Sequence, residues 1–342
     1  EWYSKHGITP DADGWFAKLP ESKSLPVSNE KWLENISTNM QRDVPNAIAC
    51  PYNPRTMVMV CGGVTAKDHL DEIRAKAMSP DYDVFCSNKT GQWLLENGIV
   101  PQYHFIIDAK PNKAMDVAKS HPDVTYLIGV NADQGVFEAL KDRKVLRFFS
   151  PTNLGGESLD WKEAQKYLKS QMLVVCGGTM AGVRALNIAD AFGYRALEYY
   201  GLDACVASPE KHYAYDKQHN EAILTVRCED GREFLTTHIF ADQVRQVQEM
   251  KVHLPWIKVT VHGDSFMSHM LKLDEAKKKP RAPYMITPAY KAMQKQMHAV
   301  GNYGISGHKH AKAIHGLMSQ LSAKYGSVSV LDYGCGQGTL KA

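Results

Sequence analysis

From Thr56 onward the chain alternates between short apolar runs and longer amphipathic segments. Met57–Cys61, Asp83–Ser87, His104–Asp108, Val124–Gly129, Val145–Phe149, Met172–Cys176 and Ala196–Gly201 have the length and apolar character of strands. Between them, Lys67–Met78, Gly91–Asn97, Gly135–Lys141, Trp161–Ser170 and Met180–Phe192 carry helical spacing. Parallel neighbours need crossovers of about a dozen residues, which these helices supply. The pattern therefore predicts an α/β fold, a Rossmann-like, mostly parallel sheet with helices on both faces.

The flanks read differently. Residues 1–55 hold several Trp and Pro with little periodicity, and Glu30–Ile36 is their best helix, which gives an N-terminal extension packed on the main domain. Beyond Asp203, Ile223–Cys228 and Glu233–His238 flank Asp230-Gly231, a strong hairpin signal; Ala241–Met250 reads as a helix and Trp256–His262 as a strand. The run Lys277-Lys278-Lys279-Pro280-Arg281-Ala282-Pro283 joins clustered like charges to two prolines and reads as a linker. The expected organisation is an extension over 1–55, a nucleotide-binding domain over 56–276, a linker over 277–284 and a partial α/β segment over 285–342.

Composition narrows this picture little. The 342 residues carry 40 Lys and Arg against 37 Asp and Glu, a formal charge of +3, with 44% hydrophobic residues. Disorder, collagen and coiled coil are excluded, and the charge surplus gives no strong nucleic-acid signal. No run approaches the ~18 apolar residues of a membrane span, so a soluble, cytoplasmic protein without a membrane partner is expected. Cys50, Cys61, Cys86, Cys176, Cys205, Cys228 and Cys335 form no CxxC pair, and buried free thiols are the expectation.

Candidate chemistry gathers at the carboxyl ends of the strands. Gly62-Gly63 follows the first strand and allows close backbone approach to a phosphate, with Thr65 placed to cap the next helix. A tight turn that simply needs glycine explains the same residues. Asn88 ends the second strand and Asp108 the third; an amide meets a base or sugar, and a carboxylate meets ribose hydroxyls or a metal. Cys176-Gly177-Gly178-Thr179 repeats the glycine turn before a small-residue helix, and the following strand ends in Gly201-Leu202-Asp203.

These segments carry a family resemblance. The block from Gly177 to Asp203, with Ser87-Asn88 and Leu94-Leu95-Glu96-Asn97-Gly98-Ile99-Val100-Pro101-Gln102-Tyr103 leading to Asp108, resembles the family of MptE-like 6-hydroxymethylpterin diphosphokinases and motility-associated-factor flagellin glycosyltransferases. Its second half also resembles bacterial CMP-sialic-acid-dependent sialyltransferases. Where the family often has Gly-Pro-Ser-Leu, this chain has Gly62-Gly63-Val64-Thr65. The resemblance implies that Gly62, Gly63 and Thr65 meet donor phosphates, that Asn88 and Asp108 meet nucleotide or acceptor, and that Gly177, Gly178 and Thr179 contact nucleotide. It places Asp203 at the edge of the site and His212 where sialyltransferase-like members hold a histidine base. A loop histidine beside Tyr213 is the plain alternative.

The implied activity is nucleotide-dependent transfer. Glycosyl transfer from a CMP-type sugar to a hydroxyl acceptor comes first. ATP-dependent diphosphokinase action on a pterin-like alcohol is the alternative, with Mg2+ on Asp108 and Asp203, and a catalytically degenerate scaffold is the third reading. A homo-oligomer is left open.

Near the C-terminus, Val330-Leu331-Asp332-Tyr333-Gly334-Cys335-Gly336-Gln337-Gly338 resembles the first motif of class I S-adenosylmethionine-dependent methyltransferases. Asp332, Gly334, Gly336 and Gly338 would border that cofactor. The sequence stops 342 − 338 = 4 residues later. The expectation is therefore the start of a methyltransferase domain that binds S-adenosylmethionine only in a longer chain.

Overall fold

The structure, a computed structural model, describes residues 9–10, 27–152, 158–175, 177–178, 180–215 and 222–277. The chain divides into two compact units, Glu1–Ala276 and Lys277–Ala342. The methyltransferase-like motif, the linker after Lys277, Cys176 and Thr179 lie outside the described residues.

Strands β2 (Thr56–Val60), β3 (Tyr82–Ser87), β4 (Tyr103–Ile106), β5 (Thr125–Gly129), β6 (Lys144–Phe148), β7 (Ala196–Tyr200) and β10 (Lys258–Val261) form a seven-stranded sheet in the order β10-β7-β2-β3-β4-β5-β6. Every pairing in it is parallel. A smaller antiparallel sheet holds β1 (Thr9–Pro10), β8 (Leu224–Arg227) and β9 (Glu233–Thr236), whose hairpin turns at Asp230-Gly231 as expected. Helices α1 (Asn29–Met40), α2 (Leu70–Ala77), α3 (Thr90–Glu96), α4 (Gln134–Ala139), α5 (Leu159–Gln165), α6 (Ala181–Ala191), α7 (His238–His253) and α8 (Phe266–Lys277) connect or flank them. None of the described helices is long and apolar enough to cross a membrane.

The strands are apolar on both faces because both faces are covered. Met57, Met59 and Cys61 pack with Phe85, Phe105 and Tyr199 under Val183 and Leu186 of α6 and Val244 of α7. The alternate positions Val58, Val60, Val84 and Cys86 pack with Ile73 of α2 and Leu94 of α3. A period of two along each strand thus feeds two helical layers. Helix α1 is capped by Ser28, whose hydroxyl accepts from Lys31 N at 3.2 Å. Its Trp32, Ile36 and Met40 pack against Val130 and Phe149, while the buried Asn39 amide donates to the carbonyls of Val130 (3.0 Å) and Ala132 (2.8 Å).

Two local expectations are corrected. Over its described residues, 172–175, the run Met172–Cys176 is not a sheet strand: its ladder contact is a single bridge between Val174 and Phe149, just past β6. Thr65 does not cap a helix from outside. It lies inside a 3-10 segment, Val64–His69, that precedes α2. Of the thiols, Cys61, Cys86 and Cys228 are buried and free, Cys205 is half-buried and Cys50 is exposed.

Candidate functional site

Strand order locates the site. Chain order runs outward from β2 in two directions, through β3 to β6 on one side and to β7 and β10 on the other. Loops leaving the carboxyl ends of such strands diverge at the reversal and leave a crevice. A cleft of about 420 Å³ opens there, lined by residues after β2 (Cys61, Gly62, Gly63), at and after the end of β3 (Ser87, Asn88, Lys89), after β4 (Asp108, Lys110, Lys113) and after β7 (Gly201 to Cys205). The amino end of α6, Met180 to Gly182, closes one wall, and His212, Tyr213 and Tyr215 form another.

Gly62-Gly63 is shaped by crowding rather than by dihedral need. Gly63 has an ordinary φ of −66°. A Cβ there would lie 2.5 Å from the Gly201 carbonyl oxygen and collide with the Asp203 carboxylate. The Gly63 amide donates to Gly201 O at 2.8 Å, continuing the β2–β7 ladder past the strand ends. Asp203 is buried and accepts from Thr65 N at 3.0 Å and from Thr65 Oγ1 at 2.5 Å. Burial pushes its pKa up, opposed by the two Thr65 hydrogen bonds. The Gly63 amide and both Thr65 donors, read from the sequence as phosphate contacts, are therefore engaged in joining β2 to β7. The second glycine pair differs: Gly177 and Gly178 have φ of +80° and +74°. Neither lines the cleft, and Met180 is the first residue of its wall on that side among those described.

Asn88 and Ala204 are the residues other than glycine with positive φ among those described, at 50° and 54°, and both line the cleft. Each such conformation costs on the order of 1–3 kcal/mol and persists where the surroundings enforce it. The Asn88 amide oxygen is in addition buried without a hydrogen-bond partner among the described residues, a further cost of about 1–3 kcal/mol. Behind it lies His104, buried, whose Nε2 donates to the Asn88 carbonyl at 2.8 Å.

Burial holds the His104 pKa down at about 4, against an ordinary 6.5. Between those values the unfolded chain binds a proton that the folded chain does not. Stability should be full above pH 6.5 and fall as pH drops toward 4, by up to about 1.4 kcal/mol per pH unit from this group. Urea unfolding across that window should show a shallower loss in His104→Gln than in the parent; equal slopes would exclude His104 as the source.

The charged groups balance locally. Lys113 Nζ lies 2.9 Å from Asp116 and 3.8 Å from Asp108, and Asp108 Oδ1 accepts from Lys110 N at 3.1 Å. Buried His212 contacts the Pro209 carbonyl through Nε2 at 2.6 Å. A carbonyl only accepts, so Nε2 carries the proton and the basic lone pair of the neutral ring is on Nδ1. Tyr213 and Tyr215 stack at 5.6 Å and 9°, and Tyr215 Oη lies 3.5 Å from Thr90 Oγ1. Burial pushes the Tyr215 phenol up to about 12.

Gly62, Gly63, Asn88, Asp108, Asp203 and His212 thus line one cleft, with Thr65 directly behind Asp203. Lys113, Asp116, Phe240 and Gln243 also line it and were not anticipated. Phe240 and Gln243 come from α7, where the sequence offers only an amphipathic helix.

No curated protein sequence matches the chain. The glycosyltransferase Maf of Magnetospirillum magneticum AMB-1 is similar in structure, with a TM-score of 0.50 at 15% sequence identity over 74% of this chain and 42% of that one. At that identity the likeness concerns the fold, and this chain spans less than half of the glycosyltransferase. The family model described as 6-hydroxymethylpterin diphosphokinase MptE-like matches residues 30–208, from α1 through Asp203 but short of His212. That match covers more than half of the sequence and every strand from β2 to β7, so the chain belongs to the MptE-like family.

Proposed function

We propose that the protein is a transferase whose cleft binds a nucleotide-activated donor and passes its phosphate-linked group to an acceptor hydroxyl. The observation that carries this reading is the coincidence of strained Asn88 and Ala204 with the β2/β7 crevice. The fold spends stability at the place where such sheets bind nucleotides. Lys89 and Lys110 bring positive charge to the β3–β4 side for donor phosphates, and the unpartnered Asn88 amide oxygen accepts from an amino or hydroxyl group of the ligand.

Within this class, glycosyl transfer from a CMP-type sugar agrees best with His212. The acceptor oxygen attacks the anomeric carbon and its proton passes to His212 Nδ1. The carbon–oxygen bond to phosphate breaks, and CMP departs with the electron pair. Asn88 orients the donor and Asp108 holds acceptor hydroxyls. The family membership favours a second reading, transfer of pyrophosphate from ATP to a pterin-like alcohol. That chemistry employs a divalent cation between carboxylates and phosphates. Asp108 offers one ligand, its side chain 27% exposed. Asp203 is a poor second, since both of its oxygens accept from Thr65 and burial disfavours its charged form. The pair does not fit a metal.

Thermal-shift titration with CMP, CTP and ATP, each with and without magnesium, separates these readings. CMP and CTP should stabilise the protein without magnesium, by about 2.7 kcal/mol at a hundred times Kd. A shift with ATP and magnesium alone would select pyrophosphate transfer. No shift with any nucleotide would overturn the transferase reading and leave a scaffold.

A further inference from the structure

On the β8–β9 hairpin and α8, four side chains with ligand chemistry converge that take no part in the cleft. Cys228 follows β8, Asp230 sits in the hairpin turn, and His269 and Met270 lie in the first turns of α8. Ligand atoms of Cys228, Asp230 and His269 all lie within 4.8 Å of one another. His269 Nε2 is 3.2 Å from Asp230 Oδ2, and Cys228 Sγ is 3.9 Å from Met270 Sδ. Cys228 and Met270 are buried, and the Phe234 ring stands 5.4 Å from His269.

We infer that Cys228, Asp230 and His269 form a site for one thiophilic divalent cation of the zinc class. The donors are one sulfur, one nitrogen and one oxygen, a set that suits a borderline ion and not magnesium or calcium, which take oxygen ligands. Tetrahedral bonds of ~2.0–2.3 Å put ligand atoms about 3.3–3.8 Å apart, so closure from the observed spacing needs shifts of about 1 Å or less. A thiolate and a carboxylate neutralise the two positive charges, which lowers the cost of holding the ion at a half-buried position. The fourth position is taken by water or by the Met270 thioether. Binding replaces the Cys228 S–H bond with a sulfur–metal bond and releases the proton to solvent.

Another cluster with metal-ligand spacing, Glu72, Glu198 and His262, carries its own cation: Lys76 Nζ lies 2.9 Å from Glu72 and 2.5 Å from Glu198. No lysine or arginine ion pair fills the Cys228 cluster among the described residues; Arg232 is directed to Asp264. The site also has a position that matters. The Met267 amide of α8 donates to Asp203 O at 3.0 Å, and Thr236 Oγ1 of β9 donates to Ala204 O at 2.8 Å. A metal joining hairpin to helix would staple the two elements that hold this edge of the cleft.

Cobalt(II) titration of the full chain tests the assignment. One equivalent should produce a thiolate-to-metal charge-transfer band and tetrahedral visible bands, displaced by zinc and unaffected by excess magnesium. Cys228→Ser should abolish the thiolate band, and chelator competition should show the zinc Kd raised more than about 100-fold, beyond what loss of an outer-shell partner costs. Absence of a thiolate band in the parent, or a band of full size in Cys228→Ser, would overturn the site. Should Cys228→Ser fail to fold, His269→Gln decides: an unchanged zinc Kd overturns the assignment, and a raised one with loss of the visible bands supports it.

Discussion

Replacing His212 with glutamine is expected to lower kcat for transfer by about 10²–10⁴-fold, the usual worth of a general base, while leaving nucleotide affinity unchanged. Glutamine keeps an N–H to donate to the Pro209 carbonyl, which His212 Nε2 reaches at 2.6 Å, and so preserves the anchoring of the loop. What it lacks is the basic lone pair of Nδ1. A variant that retains kcat would show that the buried ring only packs against the loop. The test carries weight because His212 lies beyond residue 208, where the family match ends.

The sheet was legible because burial on both faces leaves a local trace. Met57-Val58-Met59-Val60 shows no polar alternation, and a strand covered by α6 on one side and α2 on the other needs none. The same logic misled at Met172–Cys176. An apolar run reads as a strand whether it enters the sheet or, as here, crosses its end with one bridge at Val174. Strand order left no local trace at all. That β7 lies beside β2 depends on pairings such as Val58 with Glu198, and these decide where the crevice falls.

For the site, Asn88, Asp108 and Asp203 were legible as polar groups ending apolar runs. The direction in which each faces was not. Thr65 reads as a helix cap because caps are usually local, yet its hydroxyl is claimed by Asp203, 138 residues away. The Cys228 cluster was invisible for the same reason: His269 follows Asp230 by 39 residues and reaches it only through the docking of α8.

The largest structural effect should come from Gly63→Ala. The added methyl group would meet the Gly201 carbonyl oxygen at 2.5 Å and the Asp203 carboxylate closer still. Neither neighbour yields cheaply. Gly201 O accepts the Gly63 amide in the β2–β7 junction, and Asp203 is buried and held by both Thr65 donors. Overpacking at a junction of this kind costs about 1–3 kcal/mol, and parting Asp203 from Thr65 adds about 1–3 kcal/mol for a buried group left unpaired. Urea unfolding should therefore show a loss of about 2–6 kcal/mol. Gly98→Ala is the control. Gly98 has φ of +69° with open space around its Cβ position, so it should lose only the conformational term, about 1–2 kcal/mol. Because the clash pushes Asp203 away from Thr65 and into the cleft wall, Gly63→Ala should also lose the nucleotide-induced thermal shift that Gly98→Ala keeps. Equal stability losses in the two variants would mean that the β2–β7 junction yields to a side chain at no more than the cost of the strained backbone at Gly98.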